Sequence, residues 1–461
     1  MKMTVNNVIR VQDPTLDFIK YCDSELTISN PDYIKKQRMG FWTGNTPQKL
    51  SLFTKDGKDY ILPVGMMQTL LDTFYWDKAT IDLRPILDRI SFGHVPLYDY
   101  QQEAVTLMSF YSFGILQAPA GSGKTQMGLA LIQRQGGRAL WLTHTKDLLK
   151  QSMDRAKQYF NTDLFGTITD GKVELGSGIT FATIQTMSHL DLDSFRDTWD
   201  VIVVDECHRV CGTPTSMTMF YKVLNSLNAR YKYGLSATVH RADGMIKATH
   251  AILGNTLYEV PESAVAERIV KVGIRPVLTG TGMSDECLGT DGTINYTKLI
   301  NYLAGNDDRN RIIVDSIVAD RGMSSLILSD RVQHLKKLIT MLPEEMQVDA
   351  CLVTGDMVSK AKKQERENAL DEMRTGKKKY LFATYALAKE GLDIPRLERL
   401  YLTTPQKDYA VVAQSIGRVA RVFPGKQDPV AVDFVDNIRM LQFAYKKRWT
   451  TYRKLGCWKD E

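Results

Sequence analysis

No apolar stretch in this chain is long enough to cross a bilayer. Met1-Lys2-Met3-Thr4-Val5 leads into polar sequence, unlike a secretory leader. Cysteine is sparse: six in 461 residues, at 22, 207, 211, 287, 351 and 457, with no C-x-x-C pair. That spacing excludes a disulfide framework and predicts free thiols in a reducing compartment. Cys207, His208 and Cys211 are close in sequence, but they have too few neighbouring ligands for a zinc site. Repeats and low-complexity tracts are missing too, which excludes solenoids and predicts order nearly throughout. The expectation is a cytoplasmic chain with no membrane partner. Lys and Arg number 59 against 53 Asp and Glu, a net charge of +6. That balance is compatible with a polyanionic partner without requiring one.

The most informative stretch is Ala118-Pro119-Ala120-Gly121-Ser122-Gly123-Lys124-Thr125. It follows the apolar run Gly114-Ile115-Leu116 and precedes a helical pattern from Met127 to Gln135. A strand, a glycine-rich loop and a helix in that order form a phosphate cradle. The glycines let successive N–H groups converge on phosphate oxygens, and the helix N-terminus adds its positive end. Lys124 reaches the β- and γ-phosphates, and the Thr125 hydroxyl suits Mg²⁺. Ala120, Gly121, Ser122 and Gly123 supply the loop backbone. Ala118 replaces the usual first glycine, a small residue that still leaves room. The competing reading is an ordinary flexible turn.

Val201-Ile202-Val203-Val204 is a wholly apolar, β-branched run, as expected of a parallel strand buried on both faces. Asp205-Glu206-Cys207-His208 follows directly. Carboxylates at the C-terminal end of such a strand lie where open α/β sheets bind nucleotides. Asp205 would hold Mg²⁺, and Glu206 would orient or deprotonate the attacking water. A solvated acidic loop is the alternative.

Four regions follow along the chain. Residues 1–92 lack a nucleotide motif and read as a small α+β domain that is a candidate for DNA binding. Lys49 to Phe53 and Asp59 to Leu62 form a hairpin signal around Gly57, and Met66 to Phe74 is helix-like. Residues 93–280 and 309–461 alternate short β-branched runs with amphipathic stretches, which predicts an α/β fold with two tandem parallel-sheet domains. The Gly-, Asp-, Asn- and Thr-rich residues 281–308 read as a linker. Far down the chain, Gln414-Ser415-Ile416-Gly417-Arg418-Val419-Ala420-Arg421 places two arginines at i and i+3, one face if the segment is helical. Paired guanidinium groups suit the charge developing on a transferring γ-phosphoryl group. A solvated helix face is the bland reading.

In this order, these segments resemble superfamily 2 helicases and translocases over about 95 to 437. The phosphate loop corresponds to motif I, Thr143-His144-Thr145-Lys146 to motif Ia, and Ala182-Thr183-Ile184-Gln185-Thr186 to the next nucleic-acid-contacting motif. Asp205 to His208 matches motif II in its D-E-x-H form, and Ser236-Ala237-Thr238 matches motif III. Ala383 to Asp393 resembles motif V, and Gln414 to Arg421 matches motif VI. Within the superfamily, Gly234 to Gly244 and Asn306 to Ile313 resemble XPB-type and UvsW-type enzymes, the latter bacteriophage branch-migration helicases.

The resemblance implies two RecA-like domains behind the small α+β domain, with ATP and Mg²⁺ as cofactors in a cleft that closes during turnover. Lys124, Asp205, Glu206, Gln414, Arg418 and Arg421 become the catalytic set. Gln101, in a segment resembling one that reads adenine, joins the phosphate loop, Gly391 and Asp393 in nucleotide binding. His208, Ser236 and Thr238 would couple the ATP site to a nucleic-acid track formed by Thr143, Thr183, Gln185 and Thr384. A threonine at a strand end also caps turns and helices unaided by any ligand. The expected substrate is branched, forked or junction DNA in replication, recombination or repair. RNA remains an alternative, because no residue reads the 2′-hydroxyl unambiguously. A non-catalytic ATP-gated clamp and a motor subunit of a restriction-type complex are the remaining readings. Tyr445, Trp449 and Tyr452 make one helical stripe among Lys446, Lys447 and Arg448. Docking on the second motor domain is the preferred reading of that stripe, with base stacking as its competitor.

Overall fold

A computed structural model describes residues 1–77, 80–86, 88–119, 121–238, 244–265, 270–289, 292–355, 360–389, 392, 394–406 and 408–460. The chain divides into two compact units, Met1–Pro261 and Glu262–Glu461. In the first, an eight-stranded sheet runs in the order Lys172–Glu174, Phe165–Thr169, Ile179–Thr183, Ala139–Thr143, Val201–Asp205, Tyr231–Ser236, Phe113–Gln117, Thr256–Glu259. Every pair is parallel except the edge hairpin of Phe165–Thr169 with Lys172–Glu174. The central strands Ile179–Thr183, Ala139–Thr143 and Val201–Asp205 are buried along their whole length, as the unbroken apolar runs of the last two require. Their C-terminal ends carry Thr143, Thr183, Asp205 and Ser236 together on one edge.

A five-stranded, mostly antiparallel sheet built from residues 2–82 belongs to the same unit. Its core is continuous with residues of the eight-stranded sheet's layer: Met3, Val5, Ile9 and Leu62 pack in one cluster with Phe113, Met245, Ala248 and Ala251. The approach is close enough that a Cβ on Gly65 would lie 2.4 Å from Gly254 N. Residues 1–92 are therefore not a separate domain in packing terms, a correction to the expected boundary. The hairpin also differs. Thr54–Asp56 pairs with Asp59–Pro63 around a two-residue loop in which Gly57 has φ 60°. The earlier run Lys49–Ser51 pairs instead with Thr27–Ser29. A loop that tight needs only its positive-φ glycine, so it leaves Lys49–Ser51 for another partner.

The second unit holds a seven-stranded sheet, parallel throughout, in the order Ala350–Val353, Tyr380–Thr384, Ser325–Ser329, Arg399–Leu402, Val430–Val435, Gly273–Leu278, Trp458–Lys459. Gly273–Leu278 thus belongs here, although the expected first motor domain ran to 280. Within the expected linker 281–308, the described residues 281–289 and 292–308 include folded elements. Asn295 caps the helix Tyr296–Gly305, and Leu299 and Leu303, one turn apart, are buried with Cys287, Ile438 and Leu441. Among the described residues no helix is long and apolar enough to cross a membrane, and none of the six cysteines is in a disulfide.

Arg309, fully buried, pairs with equally buried Asp436 at 2.6 Å and donates to the Thr403 carbonyl at 2.8 Å. Thr279 Oγ1 donates to the same carboxylate at 2.7 Å. The pair ties the helix Asp307–Ala319 to the residues that follow two core strands, Arg399–Leu402 and Val430–Val435. Removing one member strands a buried charge, so Arg309→Met is expected to cost about 3–5 kcal/mol in denaturant unfolding. The C-terminal helix Arg439–Lys454 docks as preferred: Tyr452 is buried in the sheet's core and donates to Asp433 at 2.7 Å. Arg448 pairs with the same carboxylate at 2.8 Å, while Lys446 and Lys447 stay exposed.

Candidate active site

The loop after strand Phe113–Gln117 is anchored before it turns: Ala118 N donates to the Ser236 carbonyl at 2.9 Å, and Ala118 is wholly buried. Burial explains why a residue as small as alanine stands there. Gly121 and Gly123 have φ of 84° and 79°, conformations that side chains disfavour. Gly123 opens the helix Lys124–Gln135, whose first N–H groups are left for a ligand. Lys124 Nζ donates to the Ala118 carbonyl at 3.2 Å, curling back over the loop, and Thr125 is half-buried beside it. Ser122 Oγ is buried with no hydrogen-bond partner among the described residues. Ala120 lies outside the described residues.

Gln101 behaves differently from its sequence reading. Its Nε2 donates to the Ser122 carbonyl at 2.8 Å, and its Oε1 accepts from Tyr98 N at 3.0 Å. Tyr100 OH donates to the same Ser122 carbonyl at 2.9 Å. Each end of the amide thus makes one bond, the oxygen capping the helix Asp99–Ser109 and the nitrogen bracing the loop. A Cβ on Gly123 would come within 2.5 Å of Gln101 Nε2, so the brace needs that glycine. In this structure Gln101 braces the phosphate loop through the Ser122 carbonyl.

Asp205 closes the buried strand Val201–Asp205 and is itself 6 % exposed. Burial is the main force pushing its carboxyl up, and Glu206 adds to it, while Lys124 and the Glu206 N–H pull it down. The Glu206 N–H donates to Asp205 Oδ1 at 3.0 Å. Glu206 has φ 53°, a left-handed conformation that costs a non-glycine residue about 1–3 kcal/mol and is typical of functional sites. That turn aims its carboxylate at His208: Oε2 lies 3.2 Å from Nδ1. The same Nδ1 lies 3.2 Å from Ser236 Oγ, which donates on to the Thr238 carbonyl at 2.7 Å. The three expected coupling residues therefore form one chain that starts at Glu206.

The residues present fit a nucleotide and its cation. An orphaned hydroxyl and open helical N–H groups suit phosphate, and two crowded carboxylates served by one lysine suit Mg²⁺. Among the described residues there is no cluster of three or more acidic, histidine or cysteine ligands that would form a metal centre independent of substrate.

On the expected track, Thr143 stands opposite Thr183 on adjacent strands, and Gln185 Nε2 donates to the His144 carbonyl at 2.8 Å. The two hydroxyls turn locally, Thr143 Oγ1 to the Thr145 carbonyl and Thr183 Oγ1 to Thr186 Oγ1, each at 3.0 Å. His144 was not singled out by its sequence context. Both its ring nitrogens are buried without a partner among the described residues, and burial, reinforced by Arg209, lowers its pKa to about 4. Only its position at a strand end, one residue past Thr143, could have signalled it.

In the second unit, the helix Tyr409–Val419 carries Gln414 and Arg418. Arg418 Nε donates to the Ala388 carbonyl at 3.1 Å and its Nη1 to the Leu392 carbonyl at 3.0 Å. Gln414 Oε1 is buried without a partner among the described residues. The helix ends before Arg421, so the two arginines do not share a helical face as expected. Pro424 lies just beyond and disfavours continuation. Thr384 ends the strand Tyr380–Thr384, half-buried, in this unit and away from the other track candidates by sequence. Gly391 and Asp393 lie outside the described residues.

Residues 94–241 match the family described as type III restriction enzyme, res subunit, and residues 308–423 match the helicase conserved C-terminal domain. A protein of Acanthamoeba polyphaga mimivirus, named for ATP-dependent RNA helicase activity, is 26% identical over 328 residues, 70% of this chain and 60% of its own length. A DNA 3'-5' translocase XPB2 from Sulfurisphaera tokodaii is 24% identical over 377 residues, covering 74% of this chain and 82% of that protein. Among solved structures, Saccharomyces cerevisiae Dbp5 bound to RNA and ADP BeF3 superposes with a TM-score of 0.53 at 18% identity, over 78% of this chain and 87% of that one. That likeness concerns the fold.

Proposed function

This chain belongs to the superfamily 2 helicases, with XPB relatives, and on that premise we propose that it hydrolyses ATP to move along and remodel branched DNA, at forks or junctions. The observation that carries the reading is the line of contacts from Asp205 through Glu206 and His208 to Ser236 and Thr238. A site that merely bound nucleotide would need no strained carboxylate at its end.

Lys124 and the loop N–H groups grip the phosphates, and Glu206 orients the water and takes its proton. Mg²⁺, held by Thr125 and Asp205, would neutralise phosphate charge. Arg418 and Arg421 supply guanidinium donors for the charge that develops on the γ-phosphoryl group. Arg421→Ala is expected to lower kcat by about a hundredfold with ATP affinity little changed, read from kcat and KM. Equal loss in both would mean that the arginine only holds the ground state.

Thr143, Thr183, Gln185 and Thr384 are the proposed backbone contacts, which grip phosphates without reading sequence. Residues 1–92 extend the interface. Between residues 33 and 55 lie five cations and no carboxylate, and the same stretch exposes Phe41 and Trp42, the latter at 87 %. Cations with an exposed tryptophan suit single-stranded nucleic acid. The mimivirus relative favours RNA as a second reading. Strand displacement on fork, four-way junction, plain duplex and RNA substrates separates the two. Preference for the branched DNAs supports the proposal, and activity confined to RNA rejects it.

A further inference from the structure

We propose that Lys426 is a positioning residue for Arg421, stapling the main chain around that arginine into the conformation from which its guanidinium acts. The inference rests on the reading that Arg421 serves ATP hydrolysis. Lys426 Nζ donates to the Val419 carbonyl at 2.6 Å, to that of Arg421 at 2.8 Å and to that of Pro395 at 3.3 Å. An ammonium has three N–H donors, and here three carbonyls take them all. Val419 is the last residue of the helix that carries Arg418, so two of the three bonds bracket the turn in which Arg421 sits. Pro395 lies three residues past Leu392, whose carbonyl holds Arg418 Nη1. One lysine thus joins the two backbone segments that set both arginines.

The surroundings make the staple sensitive to protonation. Lys426 lines a cavity of about 130 Å³ together with Lys378, Lys379, Arg396 and Glu398. Glu398 is the acidic member of that lining, and it already accepts from Ser324 N and Gln427 N, each at 3.0 Å. Arg396 lies over the Phe423 ring, and Lys378 donates to the Val348 carbonyl. Burial lowers the Lys426 ammonium to about 8, with Glu398 opposing the shift and Arg421 adding to it. A neutral amine keeps two N–H donors, so one carbonyl must be released above that pH.

The signs separate positioning from stability. Below about 8 the ammonium holds all three carbonyls, and turnover should fall as pH rises through that value. A lysine whose pKa is lowered by folding contributes the opposite trend to stability, which rises as pH climbs from the folded pKa toward the unfolded one. Unfolding at Lys426 therefore cannot produce the alkaline loss.

The test is nucleic-acid-stimulated ATP turnover of the full chain from about pH 6.5 to about pH 9.5, with KM for ATP measured at each point. Lys426→Met is expected to lower kcat about tenfold at neutral pH, roughly the worth of one charge-assisted hydrogen bond, with KM unchanged. Lys426→Arg, which keeps its charge throughout, should hold near-normal turnover and lose the alkaline limb near 8. A Lys426→Met protein with wild-type turnover overturns the proposal, as does a kcat loss matched by a rise in KM. If Lys426→Met does not fold, the arginine variant decides alone: an unchanged alkaline limb overturns the proposal. A wild-type chain with no turnover on any nucleic acid would overturn the helicase reading as well, so the two failures are distinguishable.

Discussion

Glu206→Gln is expected to reduce nucleic-acid-stimulated ATP turnover by about a thousandfold or more while ATP binding persists, measured as steady-state phosphate release beside nucleotide titration. General-base groups contribute on the order of 10²–10⁴ in rate. The swap removes proton-accepting power with little change in shape, so the left-handed backbone at φ 53° and the contact to His208 Nδ1 can both survive. Charge relief works for binding: burial and Glu206 both push the Asp205 carboxyl up, so a neutral amide at 206 lessens the crowding. A variant that binds normally and does not turn over would place Glu206 in the chemical step. Normal turnover would remove it from that role.

Lys124→Ala has an effect of similar size and a different signature. Lys124 is the cation that opposes burial and Glu206 at Asp205, and it curls over the loop to the Ala118 carbonyl. Removing it withdraws charge from the phosphates in the ground state and in the transition state alike. Affinity and kcat should therefore both fall, with kcat/KM down by about a thousandfold or more. The contrast is diagnostic: Glu206→Gln separates binding from chemistry, whereas Lys124→Ala damages both. A Lys124→Ala protein with unchanged ATP affinity would mean that the loop N–H groups alone hold the phosphates.

The parts of this architecture that were legible in the sequence are those fixed by local chemistry. A glycine-rich loop between an apolar run and a helix, and paired carboxylates after a β-branched run, need no distant information. Strands such as Ala139–Thr143 and Val201–Asp205 read as buried because no polar residue interrupts their apolar runs. What was not legible depends on contacts between distant residues. Gly273–Leu278 carries Arg275 and Pro276, which break the strand pattern, and it is a strand because Val430–Val435 pairs with it. The helix Tyr296–Gly305 was hidden by its polar flanks, although Leu299 and Leu303 carry the spacing of a buried face. Gln101 resembled an adenine reader in sequence, and only its 2.8 Å bond to Ser122 shows it bracing the loop. Lys426 reads as one more surface lysine until three carbonyls are found around it.

The central claim is that hydrolysis at Glu206 is tied, through His208 and Ser236, to occupancy of a nucleic-acid track. Its most direct test is the steady-state ATP turnover of the wild-type chain with and without saturating single-stranded DNA. A rise of about tenfold or more, equivalent to about 1.4 kcal/mol off the barrier, is expected. A turnover that is brisk without nucleic acid and unchanged by DNA, RNA or branched substrates would contradict it.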